Sequence, residues 1–547
     1  MLGSLLSSAL VIVGLLSANS SALTQRLIVV GGGAAGIFGA ISACEHAAAT
    51  GSKLSATVFE SGNPLSKVLI SGGGRCNVMH DERKSPRELS ENYPRGSREL
   101  LGPLTSHFGA AEAAAWFRAR GVKLKTEGDG RMFPTTDDSS TIANCLLEAA
   151  AKAGVEIVSR TKVVRVESAG EGGGFQVEVA PRSGGRLSGD QETKFSAECV
   201  LLSPGSSREV WDWCASMGHA IADPCPSLFT LTVAEASGGG WLSGLAGISV
   251  PEATLSLFEP PAPPAQGGAA PGPTSEEGPD EPPEAPPPAK RKGKKKKKKS
   301  KSKPLVVKSG PLLVTHSGLS GPAALRVSAF GARHLNSAGY RAALEVNWAG
   351  EVALLEAAAL EELTRCAKKR PDLASKAVAT FCPLLRAESG GGGGPVSGPV
   401  GGPVSGPVGG PVSGPVGGEE GSSSAALVPR RLWAALVGGA AGLPSERRWG
   451  QLTGGELERL ARALTRCRLQ VVGKGAFKDE FVTCGGVRLK DVDLRSMESK
   501  HLGGLFFAGE VLDVDGVTGG FNFQSCWTTG FLAGRAIADK AAALEAA

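Results

Sequence analysis

Three glycines in the segment LIVVGGGAAG, namely Gly31, Gly33 and Gly36, stand in GxGxxG spacing directly after an apolar run and at the start of an alanine-rich one. Each position has its own task in holding a dinucleotide. The first permits a tight turn, the second lets backbone approach a pyrophosphate, and the third lets the following helix pack close to the strand. The N–H groups at the helix start then face the phosphates. Glu60 stands 24 residues beyond Gly36, where a carboxylate accepts hydrogen bonds from ribose hydroxyls and disfavours a 2′-phosphate. A glycine-rich turn in some other α/β domain is the bland alternative, and the motif by itself does not separate a nicotinamide from a flavin dinucleotide.

The elements that position these groups follow from periodicity. The sequence predicts a strand at Leu27–Val30, a helix from Ala34 to about Thr50 and a strand at Leu54–Glu60, which together make a βαβ unit. Helices are expected at Ala111–Arg120, ended by Gly121, and at Thr141–Ala153. Strands are expected through Val166, around Phe175 to Val179, and at Cys199–Leu202. The chain closes with a strand at Leu505–Ala508, a glycine-rich loop and a helix from about Gln524. Between Lys67 and Asn77 a loop is expected in place of further βαβ pattern.

That loop, Lys67-Val-Leu-Ile-Ser71-Gly72-Gly73-Gly74-Arg75-Cys76-Asn77, resembles the signature of the BaiN-like (YhiN-like) flavoproteins, NAD(P)/FAD-dependent oxidoreductases. The resemblance continues in order through Gly130-Arg-Met-Phe-Pro134, Gly218-His219, Pro226-Ser-Leu228, the segment from Thr315 to Pro322, Val482-Thr-Cys-Gly-Gly-Val487 and Met497-Glu-Ser-Lys500. It is most specific from Gly504 to Asn522. It implies an α/β fold with a Rossmann-like FAD-binding domain built from both chain ends, a β-rich insert domain and a smaller helical subdomain. The corresponding boundaries are 24–223 and 481–547 for the FAD domain, 224–346 for the insert and 347–480 for the helical part. The cofactor-binding candidates comprise Ala35, Lys67, Cys76, Asn77, Val163 and Gly205 besides those argued from chemistry. Nearness to the cleft is implied for Arg131, Phe133 and His316, although a lone histidine or arginine is more often a satisfied structural group. Two departures stand out: Ser203-Pro204-Gly205-Ser206 replaces the family's Ala-Thr-Gly-Gly, which puts cofactor affinity in question, and Met79-His80 replaces a Thr-Asn pair, on the substrate side of the cleft.

Ser71 to Gly74 supply backbone N–H groups able to line a phosphate or flavin edge, with Arg75 as an adjacent cation. The alternative is a structural crossover with Arg75 in an ion pair. Cys76 is either a redox thiol or a small buried hydrophobe; no cysteine lies within four residues of it, which argues against a dithiol relay. Glu510 and Asp513 can accept from ribityl hydroxyls or hold water around the pyrophosphate, or form a solvated loop. Gly519, Gly520 and Asn522 precede or open a helix whose N-terminus would stabilise negative charge on a reduced flavin. Cys76, Arg131 and His316 are the catalytic candidates.

Composition bounds the rest. The net charge is +6, yet Lys290 to Lys303 holds eleven basic residues and no acid, so the remainder is mildly acidic and polyanion attraction belongs to that tract. Glycine, at 77 of 547 residues, is about twice its usual share of roughly 7%, and part of the excess lies in PVSGPVGG repeated three times from Pro395 to Gly418. Residues 259–304 are expected to be disordered and 389–421 a linker. Eleven cysteines without a CxxC pair suggest neither a zinc site nor a disulfide framework, and no metal is expected. Residues 1–23 read as a targeting segment, for an organelle such as a plastid or for secretion, or as an exposed tail on a cytoplasmic protein. Their apolar stretch is too short for a membrane span. The functional expectation is an FAD-dependent oxidoreductase moving a hydride between flavin and a small organic substrate, with NAD(P)H as a transient reductant. Its alternative is a flavin-binding interaction protein that contacts nucleic acid or acidic membrane through the lysine tract.

Overall fold

The computed structural model describes residues 23–170, 173–182, 193–260, 303–350, 356–382, 428–475 and 482–546. The leader before Leu23, the repeat linker and the lysine tract up to Ser302 lie outside the described residues. Two compact units result. One joins Met1–Pro224 to Gly485–Ala547, and the other is Cys225–Cys484.

In the first unit the strand Leu23–Val30 buries Leu27, Ile28 and Val29 completely. Such a continuous apolar run is what a parallel strand covered on both faces requires. Around it lies a parallel set in the order Leu505–Phe507, Thr193–Leu202, Leu23–Val30, Ala56–Phe59, Glu156–Val158. The chain leaves the first strand toward Ala56–Phe59 and Glu156–Val158, whereas Thr193–Leu202 and Leu505–Phe507 add on the opposite side. That reversal creates a crevice beyond the carboxyl ends of the strands. The register places Phe59, Val30, Leu202 and Phe507 in one row across four strands. Glu60, Gly31, Ser203 and Ala508, the next residues, therefore share one edge. An antiparallel meander of Thr161–Ser168 and Phe175–Pro181 attaches to Thr193–Leu202.

The first helix runs Ala34–Ala49, and the last, Phe521–Ala546, begins three residues before the expected Gln524. They pack backbone to backbone: a Cβ at Gly534 would lie 2.4 Å from the Gly39 oxygen. This close crossing ties the C-terminal segment to the N-terminal βαβ unit, so both chain ends build one Rossmann-type domain. Residues 66–74 depart from the expected loop. They open as a helix at Ser66 that breaks at Ser71, after which Gly72 and Gly73 take left-handed φ values of 58° and 69°.

The second unit is a closed six-stranded antiparallel barrel in the order Leu231–Val233, Gly318–Ser320, Val306–Val314, Ser249–Phe258, Ala342–Asn347, Cys467–Lys474. Closure removes exposed sheet edges. The sequence reading divides this region at 346/347, but the barrel takes its last strand from beyond that point. Barrel residues such as Leu255 and Leu344 share one apolar cluster with Trp433, Leu457 and Leu460 of the helical stretch. Among the described residues no helix is long and apolar enough to cross a membrane, and no cluster of metal-ligating side chains occurs.

Candidate functional site

The GxGxxG turn is built by contact. Gly31 has φ +101°, and a Cβ there would lie 2.5 Å from the Ser203 carbonyl oxygen. At Gly36 a Cβ would meet the Gly31 oxygen at 2.1 Å and Ser203 Oγ at 2.5 Å. Over Gly33, by contrast, nothing stands within 4 Å. The turn is thus packed tight on its protein side and open on the side where a phosphate would sit. Ser203 Oγ donates to the carbonyls of Val30 (3.1 Å) and Gly31 (3.3 Å), so this unusual serine bridges the two central strand ends. Glu60 accepts from Gly32 N at 2.8 Å through one oxygen and from Gly62 N at 2.7 Å through the other. The carboxylate is thereby fixed beside the turn.

Further along this edge Lys67 Nζ and Glu510 Oε2 pair at 3.1 Å, and both lie within 4 Å of where a Gly205 Cβ would be. The Glu510 charge raises the Lys67 pKa. Gly509 backs onto Ala35, with 2.9 Å between a Cβ there and the Ala35 Cβ, and donates to Thr529 Oγ1 at 3.0 Å. Val163 is buried two residues beyond Thr161, whose N–H donates to the Glu60 carbonyl at 2.9 Å. Asp513 N donates to the Val487 carbonyl at 2.9 Å.

A second group of residues forms around the broken helix. Gly73 and Gly74 have open space at their Cβ positions, and Gly72, Gly73 and Gly74 are consecutive left-handed residues. Arg75 lies 4.0 Å over the Phe133 ring and pairs with Glu127 (2.5 Å) and Asp137 (2.7 Å). Arg131 pairs with Asp129 (2.7 Å) and the same Glu127 (3.2 Å). Both guanidiniums are therefore held in an ion-pair cluster around Phe133. Cys76 is fully buried, and burial pushes its thiol up to about 11, so it is protonated at neutral pH.

Asn77 and Asn522 turn out to be loop fasteners. With its amide oriented to satisfy both neighbours, Asn77 accepts from Gly520 N at 2.9 Å and donates to the Met79 carbonyl at 3.1 Å. Asn522 accepts from Gly516 N at 2.7 Å and returns a bond to the Gly516 carbonyl at 3.1 Å. Gly520 has no room for a side chain, since a Cβ would lie 2.4 Å from the Met79 oxygen. Gly519 is gripped by His80, whose Nδ1 donates to its carbonyl at 3.0 Å while the imidazole stacks on Phe521 at 4.5 Å. Burial lowers the His80 pKa.

Several residues that hold this site are absent from the sequence reading. Arg95 pairs with the fully buried Asp515. Tyr93 Oη donates to the Phe521 carbonyl at 2.7 Å, Trp211 Nε1 to the Val511 carbonyl at 2.9 Å, and Trp527 Nε1 to the Val78 carbonyl at 2.9 Å. The presence of a second acid in Asp513-Val-Asp515 was the one available signal. His316 lies in the other unit, exposed in the turn between Val306–Val314 and Gly318–Ser320. Val471–Lys474, part of a glycine-containing segment that lacks the third glycine of a dinucleotide turn, belongs to a barrel strand antiparallel to both neighbours.

The open Gly33 turn, the anchored Glu60 and the exposed left-handed glycines fit an elongated dinucleotide whose flavin end meets the second group.

A family model described as the HI0933-like protein Rossmann domain matches residues 25–536. The chain is 22% identical over 519 residues to the 3-dehydro-bile acid delta(4,6)-reductase of Clostridium scindens, covering 94% of this chain and all of that one. It is 23% identical over 525 residues to the ribosomal RNA dihydrouridine synthase of Haemophilus influenzae, covering 92% and 96%. Among solved structures it is similar to the open conformation of a flavocytochrome c3 fumarate reductase, with a TM-score of 0.40, 12% identity, and coverage of 95% of this chain and 79% of that one. The chain belongs to the HI0933-like family of Rossmann-type flavoproteins and is an FAD-dependent oxidoreductase.

Proposed function

We propose that this protein is an FAD-dependent reductase of carbon–carbon double bonds conjugated to a carbonyl group. The observation that supports the cofactor placement is the row of strand ends that sets Gly31, Glu60, Ser203 and Ala508 side by side, with open space over Gly33 and none over Gly31 or Gly36. In this reading Glu60 takes the adenosine ribose hydroxyls and the helix start at Gly33 to Ala35 faces the pyrophosphate. Gly205 and Gly509, with Lys67 and Glu510, flank the ribityl side. Gly72 to Gly74 and Gly519 to Gly520 border the flavin ring. FAD, when bound, supplies the two-electron chemistry. The chain holds its place and shields it: neutral His80 fixes the Gly519 carbonyl, and the helix beginning at Phe521 favours negative charge beside its first turn. Cys76, protonated and buried, packs and does not attack.

The names of the two full-length relatives support this substrate class. One describes double bonds conjugated with a 3-oxo group, the other the 5,6 double bond of uracil, conjugated with its 4-carbonyl. A second reading places the reducible bond in an RNA base, and the eleven basic residues of Lys290 to Lys303 favour it, because such a tract attracts a phosphate backbone. NAD(P)H acts in either case as a transient reductant sharing the substrate's space.

The test begins with the visible spectrum of the purified protein and identification of the released cofactor. A colourless protein that FAD does not reconstitute refutes the cofactor assignment. Under anaerobic conditions with NADH or NADPH, a 4,6-dien-3-one steroid and ribosomal RNA are then offered separately. Gain of two hydrogens by mass spectrometry identifies the substrate arm. Flavin that is reduced by the nucleotide yet transfers to neither substrate overturns the substrate class.

A further inference from the structure

Cys225 and Cys484 are 259 residues apart in sequence, yet their sulfurs lie 3.0 Å from each other. We propose that these two thiols form a reversible dithiol–disulfide site. The proposal stands apart from the flavin reading and involves none of its residues.

The separation is only about 1 Å longer than the ~2.05 Å of a disulfide bond. Local backbone geometry brings the thiols together. Cys225 lies in the strand Ile221–Ser227 and Cys484 in Val482–Val487, and these two strands pair with each other. Arg488 N donates to the Ala220 carbonyl at 2.9 Å, and a Cβ on Gly485 would lie 2.7 Å from the Asp223 oxygen, so the backbones run tightly side by side next to the cysteines. Directly opposed residues on antiparallel strands have Cα atoms about 4.5–5.5 Å apart, inside the ~4.4–6.8 Å window that a disulfide spans. Ala332 completes a small buried cluster with the two thiols.

The position gives the bond a consequence. The chain enters its second unit between Pro224 and Cys225 and leaves it between Cys484 and Gly485. A disulfide would fasten the entry and the exit of that unit to each other, closing a loop that holds the whole barrel. The oxidant is a low-molecular-weight disulfide such as oxidised glutathione. One protein thiolate attacks it and releases one glutathione, and the second thiolate then displaces the other from the mixed disulfide. Two protein thiols lose two protons and two electrons, and one glutathione disulfide becomes two glutathione thiols. Cys225 and Cys484 are 4% and 1% exposed, so exchange requires local opening and runs slowly.

The full-length protein is incubated with oxidised glutathione, both as purified and after refolding in that buffer so that burial cannot block access. Free thiols are alkylated, and a non-reducing digest is mapped by mass spectrometry. The expected result is one linked peptide pair containing Cys225 and Cys484, with alkylatable thiols falling from eleven to nine and dithiothreitol restoring all eleven. Cys225→Ser and Cys484→Ser should each abolish the linked pair while flavin absorption persists. Both thiols fully alkylated after refolding, or links scattered among other cysteines, would overturn the proposal.

Discussion

Replacing Gly33 and Gly36 separately by alanine distinguishes a cofactor contact from a packing contact within one turn. At Gly36 the new methyl would sit 2.1 Å from the Gly31 carbonyl oxygen and 2.5 Å from Ser203 Oγ, and the first of these is backbone of the tight turn that closes the central strand. Overpacking of this kind costs about 1–3 kcal/mol, and the immobile neighbour argues for the upper end. At about 2 °C per kcal/mol for a domain of this size, the melting temperature of the FAD-free protein should fall by roughly 6 °C. Gly33 differs in both respects, having φ −82° and ψ −170°, which any residue adopts, and open space in front of it. Losing glycine at a helix N-cap costs up to about 1 kcal/mol, and the smaller unfolded-state entropy returns about 0.4–1. The melting temperature of the FAD-free Gly33→Ala protein should therefore stay within about 2 °C of the parent. Its methyl would nevertheless push the pyrophosphate off the backbone donors. Loss of one charge-assisted hydrogen bond, about 1.5–3 kcal/mol, corresponds to a roughly 10- to 150-fold weaker FAD affinity. Titrating FAD-free protein by flavin fluorescence quenching, alongside thermal unfolding, reads both effects. Unchanged FAD affinity in Gly33→Ala would remove the pyrophosphate from this turn, whatever Gly36→Ala does.

Glu60→Gln removes a carboxylate that holds Gly32 N and Gly62 N, and FAD binding should weaken by about 1–3 kcal/mol; an unaltered dissociation constant would take Glu60 out of the ribose site. Lys67→Met should change stability by less than about 1 kcal/mol, because the Lys67 end of its pair with Glu510 is largely exposed, so any larger loss in FAD affinity reports a cofactor role. His80 and His219 both have pKa values lowered by burial, so each favours the folded state above its ordinary value of 6.5 and loses that contribution as pH falls through the lower folded value. Melting temperature should accordingly decline on the acid side of pH 6.5, and His80→Asn should flatten part of that decline. Cys76 behaves in the opposite sense. Its folded pKa of about 11 exceeds the ordinary 9.0, so its contribution is complete below pH 9 and is lost as pH rises through 11. In native protein at pH 8 it should resist iodoacetamide, and rapid labelling there would contradict a buried neutral thiol.

The strand–turn–helix–strand unit proposed to hold the adenosine end was legible because its parts are contiguous. An apolar strand, a glycine turn, a helix and an acid at the end of the next strand follow one another within Leu27 to Glu60, and each is recorded in local periodicity. The flavin end was legible only as a set of glycines and polar groups whose roles depend on distant partners. Asn522, a candidate at the flavin side, bonds Gly516 with both its amide oxygen and its amide nitrogen, a partner that local pattern does not reveal. Arg75 had two readings, and the ion-pair one is realised through Glu127 and Asp137, the second of these 62 residues away. No local pattern encodes the pairing of Arg95 with Asp515, 420 positions apart, or the stacking of His80 on Phe521. The inserted unit was expected to be β-rich only through the resemblance, and its closure into a barrel depends on Cys467–Lys474, from the part expected to be helical, pairing back to Leu231–Val233, which sequence periodicity does not specify.

The same distinction explains why the departures from the family pattern are tolerated. Ser203 stands where the family has Ala and Pro204 where it has Thr; the threonine hydroxyl is lost at Pro204, while the added Ser203 hydroxyl reaches the Val30 and Gly31 carbonyls at the junction of the two central strands. Met79-His80 lacks the expected Asn, and the His80 imidazole bonds the Gly519 carbonyl. In both places the residue that departs from the pattern makes a hydrogen bond to a neighbouring loop or strand end. Such substitutions alter how firmly the loop is held and its response to pH, while the row of strand ends that sets the dinucleotide path depends on the sheet register and is untouched.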